Sequence, residues 1–86
     1  MYEHLAFELP QYIETGFVAK VTELCTDKNI NQKFYLGRTP LHIAVICAQV
    51  DIIKVLLQLD PSLEIKDDIG LTAGEWAYYL KNKRVQ

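Results

Sequence analysis

Residues 37–44 read GRTPLHIA, and residues 70–77 return to the same frame as GLTAGEWA. Gly37 and Gly70, Thr39 and Thr72, and Ala44 and Ala77 pair at one spacing of 33 residues. A fixed period of that length marks a supersecondary unit used more than once. Units stacked in this way present a surface rather than a reaction centre.

The first copy defines the unit best. Thr39 is a natural N-cap, and Pro40 takes the first helical position, where its missing N–H costs nothing. A short helix is expected from Pro40 to about Cys47, a turn at Ala48 and Gln49, and a second helix from about Asp51 to Leu59. Asp51 suits the positive end of that helix. Ile52, Ile53, Val55, Leu56 and Leu57 are nearly continuous, so more than one neighbour must bury them. Asp60-Pro61-Ser62 stops the helix, and Leu63 to Asp68 reads as an extended connection.

The stretch from Gly37 to Gly70 resembles an ankyrin repeat. Thr39, Pro40, Leu41, His42, Ile43 and Ala44 match the family's T-P-L-H-x-A signature, and the Val55, Leu56, Leu57 run falls at the fitting distance. The resemblance implies an all-α fold, a helix-turn-helix solenoid with short β-hairpin fingers and about two and a half repeats. A single domain over residues 1–86 is expected: a degenerate repeat over 1–36, the central repeat over 37–69 and a truncated one over 70–86. In the last copy Ala73 and Glu75 replace the signature proline and histidine, and Trp76 replaces Ile43. Its helix is expected from Ala73 to about Leu80, with Asn82 in a turn. In the first copy Thr15-Gly16-Phe17 matches the inter-helix turn. A first helix should end near Glu14, and a second should run from about Val18 to Thr26. Val21, Leu24 and Cys25 align with Ile53, Leu56 and Leu57 at an offset of 32. Pro10 should start the first helix late or break it.

Composition sets the outer bounds. Of 86 residues, 50% are hydrophobic and 23% charged, which is ordinary for a folded domain. The net charge of −2 offers no basic stripe for nucleic acid. Lys81, Lys83 and Arg84 read as a solvated helix end. The two cysteines, Cys25 and Cys47, lie in apolar patterns without metal spacing. Buried reduced thiols suit a reducing compartment, cytoplasmic or nuclear. MYEHLAFELP has no basic n-region or long apolar core, and no apolar stretch is long enough to span a bilayer. No membrane partner is expected.

No enzymic pattern stands out. His42 has no nucleophile or acid partner at a recognisable spacing, and the resemblance gives it a structural role in tying neighbouring turns. Thr39 is a cap. Gly37 and Gly70 supply turn conformations. Pro40, Leu41, Ala44, Leu56 and Trp76 read as scaffold. No metal site, no cofactor and no catalytic residue is expected.

Function then falls to surfaces. In ankyrin-like proteins the hairpin tips and the concave side of the first helices bind partner proteins. The first finger, Asn31 to Arg38, carries Lys33 and then Phe34, Tyr35 and Leu36, three residues that are apolar where the family is polar. Phe34 and Leu36 either fold back onto the stack or join Tyr35 as interface anchors. The second finger, Glu64 to Leu71, carries Lys66, Asp67, Asp68 and Ile69. Concave helix positions fall on Ile46 and Cys47, and on Tyr79 and Leu80. The expected function is a protein-interaction module. Alternatives are a small inhibitor of a kinase or transcription factor, or the ankyrin segment of a larger enzyme or channel. The sequence holds almost no second helix for the last copy. The Asp51–Leu59 helix should therefore lack a cover, which predicts either an excised piece or self-association through that open end.

Overall fold

A computed structural model describes the backbone of residues 2–85 and the side chains of residues 7–82. Among the described residues five α-helices follow one another: α1 Tyr2–Thr15, α2 Val18–Leu24, α3 Pro40–Ile46, α4 Val50–Leu57 and α5 Ala73–Val85. A 3₁₀ turn at Tyr35–Gly37 marks the first finger. α1, α3 and α5 lie side by side as an inner row. α2 packs on α1, α4 packs on α3, and α2 and α4 touch as an outer row. The stack is elongated, 42 × 23 × 22 Å.

Local chemistry explains the central repeat. Thr39 Oγ1 accepts from the His42 backbone N–H at 3.4 Å, and His42 Nδ1 accepts from the Thr39 backbone N–H at 3.2 Å. This reciprocal box satisfies two helix-end donors at once. His42 Nδ1 also lies 2.8 Å from Thr39 Oγ1. With Nδ1 accepting, the ring proton sits on Nε2, which donates to the Leu71 carbonyl at 2.8 Å. His42 therefore caps its own helix and ties it to the next repeat.

The last copy keeps the cap with different atoms. Glu75 Oε1 accepts from the Thr72 N–H at 2.9 Å, and Thr72 Oγ1 accepts from the Glu75 N–H at 3.1 Å. Glu75 thus does part of the work of His42, as a capping-box glutamate does.

Several boundaries differ from the expectations. α1 runs unbroken through Pro10, which is buried, and forgoes one ladder hydrogen bond there. α5 does not turn at Asn82. No proline or glycine lies between Ala77 and Val85 to stop it. The side chains of Lys83 and Arg84 lie outside the described residues. The inter-helix turns keep the offset of 32: Phe17 N–H donates to Tyr12 O and Gln49 N–H to Ala44 O, both at 2.9 Å. The buried positions do not follow that offset. Val21 on α2 and Cys25 at its C-cap are buried, whereas Ile52 and Leu56, not Ile53 and Leu57, are buried on α4. α2 is thus rotated by one residue relative to α4.

The core is one cluster through both rows. Leu9, Ile13, Val21, Ile43, Ile52 and Leu56 are its largest fully buried apolar members. Leu56 is fully buried, so each methylene it contributes is worth about 0.8 kcal/mol.

Candidate partner-binding surface

The two fingers are built by the same hydrogen bonds one repeat apart. Phe34 N–H donates to Arg38 O at 2.7 Å, and Asp67 N–H donates to Leu71 O at 2.9 Å. Gly37 N–H donates to Phe34 O at 3.1 Å, and Gly70 N–H to Asp67 O at 2.9 Å. The fingers are tight turns; no strand forms among the described residues. Asp68 N–H donates to Leu36 O at 2.9 Å and locks one finger against the other. Gly37 makes that approach feasible. Its φ is +68°, and a Cβ there would lie 2.3 Å from Asp68 Oδ1.

This geometry sorts the residues of the first finger. Phe34 folds inward and packs against the core. It leaves the candidate interface, because its side chain is needed beneath the turn. Leu36 has a left-handed backbone, φ 58°, and is 52% exposed. Tyr35 is exposed on one edge, and its hydroxyl donates to the Glu14 carboxylate on α1. Burial and then Glu14 push the Tyr35 phenol up to about 12. Lys33 is exposed.

In the second finger Asp67 proves to be scaffold, not surface. Its side chain is out of solvent. Oδ1 accepts from the N–H groups of Ile69 at 3.1 Å and Leu71 at 3.0 Å. Oδ2 accepts from Trp76 Nε1 at 2.7 Å and Arg38 Nε at 3.3 Å. The Arg38 guanidinium also stands 5.2 Å from the centre of the Trp76 ring. Burial works against the charged carboxylate, but these donors outweigh it and hold Asp67 down to about 2. Arg38 is the residue that sequence reasoning missed. Its position in the signature turn, 29 residues before Asp67, gave no hint of the pairing. Lys66, Asp68 and Ile69 are exposed, Ile69 at 62%.

The helix positions separate as well. Ile46 and Leu80 do not extend the finger face. They line a groove of about 510 Å³ with Val45, Ala48, Ile53, Ala77 and the charged Lys81. Tyr79 is exposed and meets Tyr78 edge-on. Cys47 caps the end of α3, half-buried, its thiol pushed up by burial and then by Glu14. Cys25 is buried, its thiol pushed up to about 11 by the same desolvation. Neither cysteine sits in a setting that makes a reactive thiolate.

Among the described residues no group of three or more His, Cys, Asp and Glu could hold a metal ion. No helix there is long and apolar enough to cross a membrane.

Residues 36–68 match the family model for the ankyrin repeat. The chain is also similar to a chain in the structure of the predatory endopeptidase Bd0816 from Bdellovibrio bacteriovorus in complex with immunity protein Bd3460. The two share 34% sequence identity at a TM-score of 0.75, over 92% of this chain. The match spans 42% of the length of that chain. The register of the fingers, the cap of α3 and both comparisons agree: residues 36–68 form an ankyrin repeat, and the helical stack built on it has the ankyrin fold.

Proposed function

We propose that this chain is a protein-binding module whose partner docks on the paired fingers. One observation carries the reading. The Asp68–Leu36 backbone bond sets two fingers in register, so that exposed Leu36 and Ile69 occupy equivalent tips of neighbouring turns. Tyr35 stands beside them, fixed in advance by Glu14. Apolar and aromatic anchors held by a rigid scaffold lose little entropy on binding. Lys33 and Lys66 occupy equivalent positions on the two fingers and form a basic rim. Tyr79, exposed on α5, extends the candidate surface along the inner row.

The similar chain comes from a complex of an endopeptidase with an immunity protein. An endopeptidase is accordingly the first partner to try, and loss of its activity on binding would make this chain an inhibitor. Titration calorimetry against a Bd0816-like endopeptidase from this chain's own organism tests the reading. Leu36→Asn with Ile69→Ser should weaken binding by at least about tenfold, with helical circular dichroism unchanged. Unaltered affinity in the finger variants would overturn the docking face. No binding by the wild type would overturn the choice of endopeptidase.

A further inference from the structure

We propose that Arg38 is a specificity-determining residue of the docking face and takes an aspartate or glutamate carboxylate of the partner protein on its two terminal nitrogens. The inference rests on the finger-docking reading and names the chemistry that the partner must offer.

The guanidinium is fixed before any partner arrives. Nε donates to Asp67 Oδ2 at 3.3 Å, and the guanidinium carbon stands 5.2 Å from the centre of the Trp76 ring. Two fixed points leave the planar fork little freedom. Among the described residues, no acceptor meets either terminal nitrogen of Arg38. Only 13% of the side chain is exposed, yet no buried side-chain nitrogen among the described residues lacks a partner. The exposed part therefore includes the terminal nitrogens, whose N–H groups form an end-on fork that matches the two oxygens of a carboxylate.

Asp67 does not cancel this cation. The same carboxylate also accepts from the N–H groups of Ile69 and Leu71 and from Trp76 Nε1, so Arg38 is one of several donors that share it. Glu14 is engaged by the Tyr35 hydroxyl. Burial first and Glu14 next raise the Tyr35 phenol and the Cys47 thiol, and Arg38 acts against both. The guanidinium is thus within electrostatic reach of the first finger and of the end of α3. Phe34 N–H closes that finger on Arg38 O, so exposed Lys33 stands across its neck from Arg38. Exposed Lys66 repeats the place of Lys33 on the second finger. These cations, beside exposed Tyr35, Leu36 and Ile69, fit an acidic residue flanked by apolar ones. The net charge of −2 works against a polyanion such as nucleic acid.

Nuclear magnetic resonance of the Arg38 Nε–H and Trp76 Nε1–H signals in the wild-type chain tests the proposal without any particular partner. Titration with hexaglutamate at constant ionic strength should move both signals saturably. Hexaglutamine and inorganic phosphate should each move them at least about fivefold less. An unmoved Arg38 signal, or an equal response to phosphate, would overturn the proposal. Calorimetry against the endopeptidase gives the second arm. Arg38→Gln should weaken binding at least about tenfold and flatten its dependence on salt. Arg38→Lys should recover only part of the loss, since an ammonium lacks the fork. A merely structural role for Arg38 would lower stability but leave the salt dependence as in the wild type, and that result would overturn the proposal. If Leu36→Asn with Ile69→Ser weakens binding while Arg38→Gln does not, the finger-docking reading stands and the carboxylate contact alone falls.

Discussion

The indole N–H of Trp76 donates to Asp67 Oδ2 at 2.7 Å, so the second finger is pinned to the helix that follows it. The same oxygen receives Arg38 from the first finger. One buried carboxylate thus joins two fingers and α5.

Asp67→Asn removes the charge that four donors converge on. It should destabilise the chain by about 2–3 kcal/mol in urea unfolding followed by Trp76 fluorescence. The acid limb has a defined sign. The carboxyl is held at about 2 against an ordinary 3.8, so its contribution is complete above pH 4 and is lost as pH falls towards 2. The stake is about 2 kcal/mol. Asp67→Asn should flatten that limb.

The fingers set a contrast between two glycines. Gly37→Ala must place a Cβ 2.3 Å from Asp68 Oδ1 at a φ of +68°. Gly70→Ala meets the same kind of backbone cost, φ +95°, with nothing within 4 Å. The first should cost about 2–3 kcal/mol and the second about 1 kcal/mol in denaturant unfolding. Equal costs would mean that the Asp68 contact over Gly37 is not formed.

His42→Ala loses the side-chain half of the α3 capping box and the bond to Leu71 O, whereas Glu75→Ala loses the side-chain half of its box alone. The expected losses are about 2–4 kcal/mol and about 1 kcal/mol by thermal unfolding. His42→Gln should recover less than half of the difference, since its amide cannot serve both ends.

Tyr35 gives an alkaline signature. Its phenol is raised to about 12 against an ordinary 10, so the stabilisation of the neutral form is full below pH 10 and lost as pH rises through 12. Ultraviolet titration should show one tyrosine ionising late. Glu14→Gln should bring that tyrosine back towards the others.

The scaffold was legible in the sequence where a residue's chemistry acts on its near neighbours. Thr39 and Pro40 mark the start of a helix by their residue types, and the ankyrin resemblance makes Thr39 through Ala44 scaffold. Glu75 was readable too, because a Thr-x-x-Glu box needs only two residues; it looked like a loss because a different residue type filled the histidine's place. The unbroken α5 likewise had its signal in the absence of any helix breaker after Ala77. Asp67 was not legible. Its burial depends on Arg38 and Trp76 arriving from other elements, and nothing in Lys66-Asp67-Asp68-Ile69 marks one aspartate as inward. Phe34 and Leu36 were undecidable for a similar reason: a turn has no period, so only the positive φ at Leu36 turns one side chain in and the other out. Ile46 and Leu80 were assigned to the inner face by register, whereas the groove they share with Ile53 depends on α4 being bare on that side.

Hydrogen exchange of the chain with and without the proposed endopeptidase partner is the most direct measure of where function lies. The finger-docking account predicts slowed exchange at Tyr35–Arg38 and Asp68–Leu71, with α2 unchanged. Protection confined to α2 and α4, with the fingers exchanging as in the free chain, would contradict it.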